Sequence, residues 1–524
     1  MKQTTAIRWA AFLLAGLLLL TGCSTPAEPS DSDSDSSAAG TGGGTGTTVT
    51  TAASGSTGTA DTSGTETTPS SVATLPTDTE WKDAVQVTVA SLFCDNAVLQ
   101  QGKSVPVWGT GPDGKTVTVR FADQVKTATV SGGTWRVNLD PMTANSQNQP
   151  MYITMDDERI TVNRVLVGEV WLVNGQSNIT VPFYALGMDD QKKERAKGDR
   201  DSLRQFWVTQ DKSETPYTTV ADAKWAPCTA DSIADYSATG YYFASRLQER
   251  LGVPVGIITS AVGGTYLEQW LDTVSLIKDG LCNPQPGQVG KKSHYNAMIA
   301  PLQNYGIRGV LWYQGESNSA DPALYKKLFP AMVAQWREFF HNPAMPVYYV
   351  QITPWQAEGK DRLDRAWFRQ CQLELMQEVP NVGMVTTTDA GSEKFIHPPY
   401  KIKVGQRLAY WALAKTYGKE GFLYAGPLYK SHQLKENVVE ITFEHGSDGL
   451  IPENQKLRGF ELVDEKGNIV PAEAEIINGS ARVKVWNDSV PHPVEVRYCF
   501  RNYMEGDLFN NAEIPASPFR VVIH

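Results

Sequence analysis

The chain has 524 residues, a formal net charge of −10 and 41% hydrophobic residues. That length exceeds one ordinary domain and predicts about three. The acidic balance argues against nucleic acid as a partner, because a phosphate-binding surface needs an excess of Lys and Arg.

The N-terminus carries Lys2 and Arg8, then an apolar run from Trp9 to Leu20 and the small pair Thr21-Gly22. This is the pattern of an export signal, and the run is too short to span a bilayer comfortably. Leu20-Thr-Gly-Cys23 resembles a bacterial lipobox, which implies cleavage before Cys23, a lipid on that cysteine and an extracytoplasmic, membrane-anchored protein. Residues 24–79 are almost wholly Ser, Thr, Gly, Ala, Asp and Pro. Such a segment cannot bury enough apolar surface to offset its ordering entropy and reads as a flexible tether. Beyond Cys23, Cys94, Cys228, Cys282, Cys371 and Cys499 form no CxxC pair, so no zinc site is expected. Most read as buried free thiols, with one disulfide after export as the alternative.

Residues 84–165 predict a small β-sandwich. Val85–Val89, Val105–Trp108, Thr116–Phe121 and Lys126–Val130 are short alternating runs separated by turn residues. From 166 to 424 strands and helices alternate. Val165–Val173 reads as a buried strand, Phe243–Leu251 as a helix, Val253–Thr259 and Gly306–Tyr313 as strands. Leu324, Leu328, Met332, Trp336 and Phe340 recur every four residues, as on an amphipathic helix. Val347–Ile352 is a strand, followed by a helix near 364–378, a strand near 382–387 and a helix near 400–417. This order predicts an α/β domain, a parallel sheet covered by helices on both faces, with ligands beyond the carboxyl ends of its strands. Over 425–524, Val438–Phe443, Ala481–Trp486 and Val494–Phe500 predict a C-terminal β domain.

Three strand ends carry polar and glycine-rich turns: Gly175-Gln-Ser177-Asn178, Ser260-Ala-Val-Gly263-Gly264-Thr265 and Gln314-Gly-Glu316-Ser-Asn318. In a parallel sheet they crowd one rim. A serine in such a turn can present its hydroxyl to substrate, and acyl transfer then needs a base and donors for the oxyanion. Backbone amides at Ser177 and at Gly263 or Gly264, with the Asn318 amide, are candidate donors. Among seven histidines, His397 in Phe395-Ile-His-Pro-Pro399 falls on a loop at the same rim.

These blocks, with Trp270 six residues after Gly264 and with Gly405-Gln-Arg407, resemble SGNH-type hydrolases, most of all the sialate O-acetylesterase family. The similarity extends over roughly 84–524 and includes Leu92–Gln100, Gly168–Trp171 and Tyr295–Leu302. It implies an SGNH-like three-layer domain. It implies Ser177 as nucleophile, His397 as base, and Ser177, Gly264 and Asn318 as oxyanion hole. Gln176, Gln314 and Trp270 are taken as substrate-binding.

Many SGNH enzymes have an aspartate three residues before the histidine; Lys394 stands there in this chain. The imidazole is then oriented by Glu316 or by a backbone carbonyl, with Asp389 as a further candidate, or the site is a Ser–His dyad. The implied reaction is removal of O-acetyl groups from a carbohydrate, sialic acid by resemblance, without metal or organic cofactor. Acetylated xylan or another glycan is the alternative substrate. A non-catalytic surface protein that binds glycans is the alternative from another class.

Overall fold

The computed structural model describes residues 74–222, 224–278, 280 and 292–523. The export signal expected over 1–23, Cys23, most of the 24–79 tether and Cys282 lie outside the described residues.

The described residues begin with β1 (Lys82–Asp83), β2 (Val98–Gln100), β3 (Val105–Thr110), β4 (Thr116–Phe121), β5 (Gln124–Thr129), β6 (Thr134–Leu139) and β7 (Asn145–Met155). Alternate side chains of β3, β4 and β6 are buried, the period of two that one covered face requires. β3 pairs antiparallel with β6, and β4 with β5 and β7. No strand forms at Val85–Val89. The Val85, Gln86 and Val87 amides donate instead to the Glu158 carboxylate, which removes them from any ladder.

β8 (Glu158–Gly175) is 18 residues long and crosses the boundary expected at 165–166. Its first part pairs antiparallel with β7. Its second part is buried without interruption from Val165 to Gly175, as a strand covered on both faces must be. There follow α1 (Ser177–Thr180), α2 (Met188–Arg195), β9 (Arg200–Trp207), β10 (Trp225–Cys228), α3 (Ala238–Leu251), β11 (Val255–Ala261), α4 (Thr273–Lys278) and β12 (Gly309–Tyr313). Then come α5 (Pro322–Phe339), β13 (Val347–Val350), α6 (Asp364–Glu378), β14 (Val382–Val385) and α7 (Lys401–Trp411).

The strand order is β10-β9-β11-β8-β12-β13-β14. Every pair from β9 to β14 is parallel, but β10 runs antiparallel to β9. The parallel sheet read from the sequence is therefore a mixed one. A loop suffices to return the chain from β9 to β10, whereas a parallel neighbour would have needed a helical crossover. Successive strand residues face opposite cores. Trp171, Val173, Leu311 and Val350 pack with α3 and α7. Leu172, Val310, Trp312 and Val347 pack with Leu328, Met332 and Trp336 of α5.

The C-terminal residues form two four-stranded antiparallel sheets. One joins Leu428–Lys435, Val438–Glu444, Arg482–Trp486 and Glu473–Ile477. The other joins Ile469–Pro471, Phe460–Val463, Glu495–Tyr498 and Phe519–Val522. Cys94, Cys228, Cys371 and Cys499 are free thiols. Among the described residues no helix is long and apolar enough to cross a membrane.

β8 ends at Gly175, whose φ of +142° is strained for any residue with a side chain. A Cβ there would also collide with the Tyr313 carbonyl of the neighbouring strand. Gly175→Ala is expected to cost about 2–4 kcal/mol. The check is the urea midpoint, which should fall with an unchanged slope. An unaltered midpoint would remove this account of the turn.

Candidate active site

β11, β8 and β12 are adjacent and parallel, so the turns at their carboxyl ends meet. Ser177 is the first residue of α1 and partly exposed, and its Oγ has no hydrogen bond among the described residues. A Cβ built on Gly263 would stand 3.4 Å from Ser177 Cβ, so the second turn lies against the serine. Gly264, with φ +73°, turns the backbone there and is exposed.

Side-chain amides lace the three turns together. Gln176 Oε1 accepts from the amides of Gly315 (3.4 Å) and Ser317 (3.3 Å). Gln314 Nε2 donates to the Thr265 carbonyl (3.1 Å) and to Asn318 Oδ1 (2.6 Å). Asn318 Oδ1 also accepts from the Leu267 amide, and Asn318 Nδ2 donates to Glu268 (3.0 Å). The second N–H of Asn318 Nδ2 makes no hydrogen bond among the described residues. Gln176 and Gln314, expected to meet substrate, are buried ties between turns. Trp270 is a correction. It is 0% exposed, its indole N–H donates to Thr265 Oγ1, and its ring stacks on His294, so it presents no surface to a ligand.

His397 reaches this rim through its neighbour. Asn178 Nδ2 donates to the Ile396 carbonyl (3.1 Å), which sets the residue after Ser177 against the residue before His397. The imidazole is exposed on one side and makes no hydrogen bond among the described residues. Desolvation on its protein side, then the charge of Lys401, hold its pKa below the usual 6.5.

The two acidic candidates are placed differently. Asp389 is committed to Arg407 (2.6 and 2.9 Å) and Lys403 (2.8 Å), and no hydrogen bond joins it to His397 among the described residues. Burial pushes its carboxyl up, but Arg407 and Lys403 outweigh this and hold it below the usual 3.8. The stability that Asp389 lends is therefore full above about 3.8 and is lost as pH falls through the depressed value. Asp389→Asn leaves the buried Arg407 short of its anion and is expected to destabilise the fold by about 2–4 kcal/mol. The rate per folded site should stay within threefold, by active-site titration. A tenfold fall would return Asp389 to the site.

Glu316 is buried. Its Oε1 accepts from Asn178 Nδ2 (2.6 Å), while Oε2 is buried without a partner. Burial raises its pKa, an effect only partly countered by Asn178 and Lys401. No hydrogen bond joins it to His397 among the described residues.

Sequence reasoning missed Asn178, Lys401 and Glu268 as members of this network. Lys401 did carry a signal. The buried face of α7 runs through Lys401, Val404, Gly405 and Leu408, so a lysine occupies a place on the apolar stripe.

This rim, on an α/β fold with C-terminal β-sheets, marks a carboxylic ester hydrolase of the carbohydrate esterase type. Residues 167–414 match the family described as carbohydrate esterase, sialic acid-specific acetylesterase. A carbohydrate acetylesterase from Xanthomonas citri is 32% identical. The match covers 83% of this chain and 99% of that one, with a TM-score of 0.77. The sialate O-acetylesterase of Mus musculus is 27% identical over 505 residues, 82% of this chain and 93% of the mouse protein. That of Rattus norvegicus is 29% identical over 426 residues, 68% and 78% of the two chains. The chain belongs to the sialic acid-specific acetylesterase family of carbohydrate esterases. Membership in a family of ester hydrolases displaces the non-catalytic, glycan-binding reading.

Proposed function

We propose that this enzyme removes O-acetyl groups from sialic acid through an acetyl-Ser177 intermediate, on an SGNH-like three-layer domain flanked by an N-terminal β-sandwich and a C-terminal β domain. The observation that carries the reading is the bond from Asn178 to the Ile396 carbonyl, because it brings the neighbours of Ser177 and His397 together. His397, neutral at working pH, takes the Ser177 proton as Oγ attacks the acetyl carbonyl. Amides at Ser177 and Gly264 and the spare N–H of Asn318 receive the oxyanion. His397 then protonates the departing sugar oxygen, and water, activated by the same imidazole, releases acetate.

The substrate assignment rests on the curated relatives, which are sialate O-acetylesterases. The Xanthomonas citri protein, described only as a carbohydrate acetylesterase, favours a second reading in which the acetyl group sits on another glycan. Acetate release from acetylated sialic acid and from acetylated xylan, measured side by side, separates them. A kcat/KM at least tenfold higher on xylan would overturn the first. The lipobox-like Cys23 supports a lipid-anchored, extracytoplasmic placement. Incorporation of labelled fatty acid into the full chain, lost in Cys23→Ala, tests that reading.

A further inference from the structure

Lys401 is a lysine in a place where lysines are rarely found. It is 1% exposed. Its Nζ donates to Asn178 Oδ1 at 2.6 Å and stands 5.4 Å from the centroid of the Tyr313 ring. The far side of the same carboxamide faces an anion, since Asn178 Nδ2 donates to Glu316 Oε1 at 2.6 Å and to the Ile396 carbonyl at 3.1 Å. Asn178 thus lies between a buried cation and a buried anion, its oxygen toward the ammonium and its nitrogen toward the carboxylate. Neither orientation nor position is free, because reversing the amide would break all three bonds.

The hub has a functional address. Asn178 follows Ser177, Ile396 precedes His397, Glu316 lies in the third turn, and Lys401 opens α7 four residues after His397. We propose that Lys401 is a positioning residue for ester hydrolysis: through Asn178 it locks the serine turn to the histidine loop in the geometry that proton transfer needs. The inference rests on the reading of Ser177 and His397 as nucleophile and base.

The groups around Lys401 make the role visible in a pH profile. Facing it are Glu316 from the third turn, His397 from its own loop and Tyr313 from β12, with Arg365 of α6 near Glu316. Burial pulls Lys401 down to about 7, partly offset by Glu316. After desolvation, its charge is the second cause that holds the His397 imidazole below its ordinary pKa. Removing that charge must raise the His397 pKa. The acid limb of kcat/KM then moves to higher pH.

The experiment compares wild type with Lys401→Met and Lys401→Gln on an aryl acetate, with reactive serines counted by a fluorophosphonate probe. Displacing a catalytic pair by a fraction of an ångström to one ångström costs about 10²-fold. A fall of this order in kcat per titrated site is expected, with KM within threefold and the acid limb shifted upward. Equal kcat per site and an unmoved limb in either folded variant would overturn the proposal. So would failure of both variants to fold, which would make Lys401 a residue of core stability alone. The underlying reading fails differently. Wild type inert on every acetyl ester, or Ser177→Ala fully active, would sink that reading before any Lys401 variant is made.

Discussion

Ser177→Ala is expected to lower the turnover of an aryl acetate by about 10⁴-fold or more while leaving the melting transition in place. The magnitude follows from the proposed mechanism, in which Ser177 Oγ is the atom that forms the acyl intermediate. What remains is the binding and oxyanion stabilisation that a site supplies without its nucleophile. Folding should survive because Ser177 Oγ makes no hydrogen bond among the described residues, and its turn is held by neighbours. Gln176 accepts from Gly315 and Ser317, and Asn178 bonds Glu316, Ile396 and Lys401. Retention of a tenth of the wild-type rate would remove Ser177 from the mechanism.

The contrast between that free hydroxyl and its tied neighbours explains what the sequence made legible. Strands and helices of the catalytic region could be read because their patterns are local. Leu328, Met332 and Trp336 repeat at helical spacing and are buried in α5. Thr116–Phe121 alternates and forms β4 with the same bounds. The failures are non-local. Val85–Val89 alternates as a strand should, but a carboxylate 71 to 73 residues away takes the amides of Val85, Gln86 and Val87. β10 turned back antiparallel because its connection to β9 is a loop, which hydrophobic period does not encode.

The site divides in the same way. The three turns were visible as composition at strand ends, and the sheet brings them together. What each polar side chain does there was not visible. Gln176, Gln314 and Trp270 look available on paper, yet each is spent on holding another turn or packed against His294. Asp389 is an acid close in sequence to His397, but α7 brings Arg407 and Lys403 to it first. The Lys401–Asn178–Glu316 chain joins positions up to 223 residues apart, and only folding shows that they touch.

His397→Ala is expected to cost about as much as the loss of the serine, roughly 10⁴-fold in kcat, because in the proposed mechanism nucleophile and base act as one unit. In wild type the acid limb of kcat/KM should have its midpoint below 6.5. The sign follows from the causes: desolvation and the Lys401 charge both disfavour the imidazolium, so the neutral base persists to lower pH than in a free histidine. A midpoint above 6.5 would mean that an anion governs the imidazole instead, and Glu316 is the carboxylate placed to do so. Glu316→Gln then decides the matter. The substitution keeps an acceptor for Asn178 Nδ2, removes the charge and places an amide NH2 where Oε2 stands. A dyad loses less than about tenfold from it, whereas an enzyme that relies on the carboxylate to orient its histidine loses about 10⁴-fold. The absence of a bond between Glu316 and His397 among the described residues, and the engagement of Oε1 by Asn178, lead us to expect the smaller loss.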